Sequence, residues 1–182
     1  SAPTVNDHVN GFTRASSSAA EQYVVQSFEN DRLTLICRGV SIPTTGAATA
    51  ISADLYKSYR FRARSLEVRY DIVASSDIDV WLGVETNLSV GADSIWQATG
   101  PRSSRRLTRR ATSLGPTTLV EVDNPSTKAR LTIRAGDAQS GVYAPVHING
   151  EFQYCGLVIA WRLRAAAGER WTRRVSIAFS RR

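Results

Sequence analysis

The chain has 182 residues, 42% of them apolar and 21% charged, and carries a net charge of +7 at pH 7. That length suits one domain with a sizeable core and excludes a second catalytic domain, and no apolar stretch approaches the roughly 18 residues of a spanning helix. Of the 23 basic residues only Lys57 and Lys128 are lysines. Arginine's planar fork matches phosphate, so the surplus points to a polyanionic partner, with plain solubility as the simpler reading.

From Ser1 to about Ala20 the sequence is rich in Ser, Ala, Thr and Asn and poor in large apolar residues. Such a segment buries too little surface to offset its ordering entropy, so a flexible arm is expected over residues 1–25. No basic segment followed by an apolar run opens the chain, and no secretory leader is expected. From Glu21 onward short apolar runs are broken by Gly, Pro, Ser, Asp and Asn, the pattern of an all-β domain, here set at 26–182.

Asp31 to Ile42 alternates and stops at Pro43, which predicts a strand. Ser52 to Tyr59 offers a helix cap followed by a turn or two of helix. Leu66, Val68, Tyr70 and Ile72 then share one face, and Ile78, Val80, Leu82 and Val84 another. The Ser75-Ser76 break between these two runs predicts an antiparallel hairpin.

Further strands are expected over Arg106–Ser113, Thr118–Val122, Ala129–Ala135, Gly150–Leu163 and Trp171–Ser180, giving a sandwich or barrel. Gly150–Leu163 is apolar on both faces and must be covered on both sides. Cys37 and Cys155 lie in apolar β-type segments and are read as buried free thiols.

The densest charge cluster is Arg102, Arg105, Arg106, Arg109 and Arg110. Continuous strand geometry would put Arg105 and Arg109 on the face of Leu107 and Arg106 and Arg110 on the other. A second group comprises Arg162, Arg164, Arg170, Arg173, Arg174, Arg181 and Arg182, with Trp171 among them. Phosphate contact by Arg102, Arg105, Arg106, Arg109, Arg110, Arg173, Arg174, Arg181 and Arg182 is the functional reading. Solvated loops and carboxylate pairing are the structural one, and Trp171 is assigned to core packing.

Catalysis has little support. His8 and His147 lack the partner spacing of a nucleophile motif, and two Cys and two His lie too far apart for a zinc site. Asp77 and Asp79 could join Asp71 or Glu85 around a cation, although a solvated face accounts for them as well. No phosphate-binding glycine loop occurs, and neither an enzyme nor a cofactor is expected.

The run Leu55-Tyr56-Lys57-Ser58-Tyr59-Arg60-Phe61-Arg62, followed by Ser65-Leu66-Glu67-Val68-Arg69-Tyr70, resembles the jelly-roll coat proteins of tombusvirus-like and sobemovirus-like RNA viruses of plants. Asp79 to Val84, Arg130 to Ala135 and Asn149 to Trp161 resemble later shell strands of that family, the last two as a pair. The resemblance implies an eight-stranded antiparallel jelly-roll sandwich with short connecting helices and no protruding domain. It also implies self-assembly into an icosahedral shell in the virion, built in the host cell around single-stranded RNA. Glu85-Thr86-Asn87 stands where members carry a calcium-binding Asp-x-x-Asp. The rival readings are a non-capsid β-sandwich binding RNA or an acidic glycan, and a cupin-like enzyme, which would need clustered His and carboxylate ligands.

Overall fold

The computed structural model describes residues 2, 4, 5, 22–42 and 51–181. They form thirteen strands in two sheets of nine and four. β1 (Val24–Glu29), β2 (Arg32–Ile42), β3 (Ile51–Arg62) and β4 (Ser65–Ala74) run as an antiparallel meander from one edge of the larger sheet. β5 (Ile78–Leu88) crosses to an edge of the smaller sheet. β6 (Ile95–Thr99) and β7 (Ser104–Leu107) form the far edge of the larger, and β8 (Thr112–Leu114) the far edge of the smaller. β9 (Leu119–Asn124) and β10 (Ala129–Ala135) rejoin the larger sheet, and β11 (Ser140–Ile148) and β12 (Glu151–Ala165) fill the smaller. β13 (Arg170–Arg181) inserts between β4 and β10.

The core lies between the sheets. Cys155, Leu157, Ile159, Trp161 and Leu163 of β12 meet Val120, Val122 and Ile133 of the larger sheet, all nearly inaccessible to solvent. Each fully buried aliphatic side chain contributes about 1.5–3 kcal/mol. The opposite face of β12 is covered too: Val158 packs with Val142 and Ala144 of β11, and Val5 lies against them. The two-sided apolar pattern of this strand therefore has the cause inferred from its sequence. Cys37 and Cys155 are both buried thiols, and Trp171 packs in the core.

The all-β antiparallel sandwich stands as expected, but five finer expectations do not. The jelly roll of eight strands is replaced by the nine-plus-four arrangement, and residues 22–42 and 51–181 contain no helix. Ser52 to Tyr59, expected to be helical, lies within β3. Ala53 and Leu55 point into the core, and the strand is hydrogen-bonded on both sides, which outweighs a local cap signal.

The β4–β5 hairpin is absent, because the two strands belong to opposite sheets and their apolar faces meet across the core rather than side by side. The connection is pinned at the sandwich end: the Ser75 amide and hydroxyl both donate to the Ser52 carbonyl at 2.8 Å, and the Ala167 amide donates to Asp77 at 2.9 Å. The strand expected over Arg106–Ser113 is broken between Leu107 and Thr112, and its halves sit in different sheets. Thr108 to Ala111, with two consecutive arginines, stays exposed in the gap. Likewise β10 and β12, expected to pair, are in opposite sheets.

The expected arm, residues 1–25, falls mostly outside the described residues, as do His8 and Arg182; Val24 and Val25 begin β1.

Candidate functional site

At one end of the sandwich the β6–β7 edge of the larger sheet meets the β11–β12 hairpin of the smaller. Asn149 and Gly150 close that hairpin with φ of 52° and 83°, the left-handed pair that a tight two-residue turn between twisted strands requires. A register shift between Val146 and His147 re-aims the strand just before the turn. The His147 and Phe152 rings consequently meet edge to face, with centroids 5.7 Å apart.

Across the gap, Trp96 and Tyr143 pack at 5.3 Å and form the floor of a cleft of about 360 Å³. Burial pushes the Tyr143 phenol up, and it stays neutral. The turn from Gly91 to Ser94 forms the rim. Gly91 has φ of 89°, and a Cβ there would stand 3.0 Å from the Asn124 amide, so only glycine fits without strain. Asn124 donates to the Val90 carbonyl at 2.6 Å, and Ser94 donates to the same oxygen, which fixes the turn. Asp93 on this rim accepts a hydrogen bond from the Ser126 hydroxyl.

Asp93, Arg106, Arg109 and His147 thus surround one cleft whose walls are apolar at Ile95, Pro145 and Phe152. A carboxylate and an imidazole in the same cleft can exchange protons with a bound ligand, and the guanidinium groups can donate to its oxygens. Among the described residues no group of three His, Cys, Asp or Glu side chains comes together to hold a metal. The oxygen site around Asp79 is filled otherwise: Arg162 and Arg164 hold its carboxylate, the first by a hydrogen bond that lowers its pKa to about 2.

The structure separates the arginines singled out in the sequence. Among the described residues of that set, Arg106 and Arg109 alone reach the cleft. Arg105 donates to the Ser113 carbonyl at 2.7 Å and so ties β7 to β8, while Arg102 and Arg110 are exposed in turns. Arg173 and Arg174, adjacent in sequence, point to opposite faces of β13: Arg173 lies 4.6 Å over the Trp171 ring, and Arg174 points outward. Arg181 sits at the exposed end of β13.

Asp93, Tyr143, Phe152 and the role of His147 were missed in the sequence. Asn149-Gly150 between alternating runs was the available signal, since a two-residue hairpin would have faced His147 with Phe152.

No protein-family model matches the chain, and no curated protein matches it in sequence. Its fold is nevertheless shared with solved structures. A candidate aldose 1-epimerase from Escherichia coli K12 is similar with a TM-score of 0.71 and 12% identity, over 88% of this chain and 69% of that one. A galactose mutarotase-like protein from Lactobacillus casei has a TM-score of 0.66 and 10% identity, over 87% and 73%. A 4-alpha-glucanotransferase from Thermococcus litoralis has a TM-score of 0.59 and 13% identity, over 88% of this chain and 22% of that one.

The fold is therefore the mutarotase-like β-sandwich. This overturns the coat-protein resemblance and everything that rested on it: icosahedral self-assembly, packaging of viral RNA, a plant-virus origin and location in the virion. The short motifs that carried the resemblance were alternating strand patterns, which any two-sheet sandwich produces. The expectation of a non-enzymatic protein, drawn from the absence of nucleophile, zinc and glycine-loop motifs, stands against a fold that occurs among proteins described as epimerases and mutarotases.

Proposed function

We propose that the cleft binds an aldose and that the protein interconverts its anomers. The observation that carries this reading is the joint presence of Asp93, His147 and two guanidinium groups around one cleft of about 360 Å³. The mutarotase-like fold supports it. A volume near the lower end of the ordinary ligand range suits a monosaccharide or a chain end.

The sugar's C–H face packs on Phe152 and Pro145, and Arg106, Arg109 and Thr108 donate to its hydroxyls. The Asp93 carboxylate takes the proton of the 1-hydroxyl while the protonated His147 imidazole gives its proton to the ring oxygen. The C1–O5 bond breaks and the open-chain aldehyde forms. After rotation about C1–C2, O5 attacks the other face of the carbonyl and both protons return. Nothing is oxidised or reduced, and no co-reactant is needed. Paired acid and base catalysis of this kind contributes about 10²–10⁴-fold for each group.

Polarimetry of freshly dissolved α-D-galactose and α-D-glucose tests the reading. The expected result is decay to the anomeric equilibrium faster than in buffer, slowed at least tenfold in His147→Gln and in Asp93→Asn. Decay at the buffer rate, with no change in the protein's NMR signals on adding either sugar, rules the reading out.

A further inference from the structure

The outer face of the larger sheet, the side turned away from the smaller one, carries a field of arginines separate from the cleft. Val68, Val175 and Ile133 point into the core, so their neighbours in each strand point outward. Three adjacent cross-strand rows result. The first runs Arg32, Arg60, Glu67, Ser176, Arg134. The second runs Thr34, Ser58, Arg69, Arg174, and the third Arg62, Ser65, Ala178, Thr132.

Arg32 stands directly opposite Arg60, and Arg69 directly opposite Arg174. Like charges so placed have Cβ atoms about 4.5–5.5 Å apart and repel. The carboxylates at hand compensate only in part. Asp31 takes Arg60 at 3.0 Å, and the buried Asp71 takes Arg69 at 2.8 Å. Among the described residues, Arg32, Arg62, Arg134 and Arg174 are in no ion pair, and all four are exposed. A sheet that sets guanidinium groups directly opposite one another, with one of each facing pair left without a carboxylate, costs stability until an anion arrives.

We infer that this outer face binds an acidic polysaccharide. The arginines supply charge complementarity to repeated carboxylate or sulfate groups. Between them lie the hydroxyls of Thr34, Ser58, Ser65 and Ser176, small donors and acceptors suited to sugar hydroxyls. A single-stranded nucleic acid would need aromatic platforms for its bases. The aromatic side chain beside these rows is Tyr56, and its ring is already covered by the Arg170 guanidinium at 5.5 Å. The other aromatics of β3 and β13, Tyr59, Phe61, Trp171 and Phe179, share the inward side with Val68 and Val175.

The test is calorimetric titration of the full chain with a heparin octasaccharide and with an octagalacturonate, at low and moderate salt. A charge-matched oligothymidylate serves as the comparison. The variant R62Q/R134Q/R174Q is expected to weaken polysaccharide binding at least tenfold and flatten its salt dependence, while R62K/R134K/R174K retains most of it. Its three positions are exposed, and an unchanged melting temperature verifies that the fold is intact. His147→Gln, in the cleft, is expected to leave this binding unaltered, so failure of the aldose reading and failure of this one are separable. Binding of heparin alone assigns sulfate as the recognised group, and binding of both assigns shared anionic-sugar chemistry. No binding of either, binding that survives R62Q/R134Q/R174Q, or equally tight binding of the oligothymidylate overturns the inference.

Discussion

The indole nitrogen of Trp161 donates to the carbonyl of Gly136 at 2.9 Å. Trp161 lies at the centre of β12 in the smaller sheet, and Gly136 follows β10 in the larger, so this bond ties the sheets together through a fully buried side chain. Trp161→Phe is expected to cost about 1–3 kcal/mol, because the ring volume is largely kept and the Gly136 carbonyl loses its donor. Trp161→Ala is expected to cost about 3–5 kcal/mol through the cavity it leaves. Urea denaturation of the two variants checks the order; equal losses would show that the cavity costs nothing beyond the lost hydrogen bond.

Gly141 in β11 is set by contact. A Cβ there would stand 2.7 Å from the Val158 carbonyl of the paired strand and 3.4 Å from Leu114, and backbone cannot swing aside as a side chain can. Gly141→Ala is expected to destabilise by about 1–3 kcal/mol, the range for overpacked sites. Gly136→Ala, with open space around the new methyl, is the matched control in thermal melts.

Burial pushes the Cys155 thiol up to about 12, which favours the neutral form in the folded state. The folded thiol is thus raised above its ordinary value of 9.0, and this contribution to stability is complete below pH 9 and is lost as pH rises from there toward 12. Cys37 is buried as well. Ellman's reagent at pH 8 should therefore find no reactive thiol in the native protein and two in guanidinium. A fast-reacting thiol in the native state would contradict the burial of these two side chains.

Asp79 titrates in the other direction. The Arg162 hydrogen bond, with added attraction from Arg164, depresses its carboxyl to about 2 from 3.8. A depressed carboxyl contributes stability above its unfolded value and loses it as pH falls through the folded one. The stability gap between wild type and Asp79→Asn should accordingly be constant above about pH 5 and close as pH falls from about 4 to 2. Because the pair is exposed, the gap should also shrink in high salt. Acid titration followed by circular dichroism measures it, and a pH-independent gap would exclude the ion pair as its source.

Gly150→Ala tests the hairpin that carries His147 and Phe152. At φ of 83° a side chain is strained, and a cost of about 1 kcal/mol is expected. The larger effect should fall on ligand affinity at the cleft, measured by NMR titration with the aldose, since both rings hang on this turn.

The sequence by itself determined the all-β character, the two-sided burial of β12, the buried thiols and the core position of Trp171. These properties follow from side-chain alternation and apolarity, which each segment carries locally. Tertiary structure alone decided which strands pair. The apolar faces of β4 and β5 could be satisfied side by side or across a core, and only the assembled sandwich chooses the second. Ser52–Tyr59 became a strand because β2 and β4 flank it, and the Arg106–Ser113 run divided because its two ends are wanted by different sheets.

The same reason hid the cleft. Asp93, Arg106, His147 and Phe152 are spread over some 60 positions and have no spacing that a motif could capture. They meet because the edge of one sheet closes on a hairpin of the other, and the outer arginine rows likewise exist only once five strands are in register. Alternation fixes the side of a strand on which a residue lies. Long-range pairing, settled by the packing of the whole core, fixes which residues share that side.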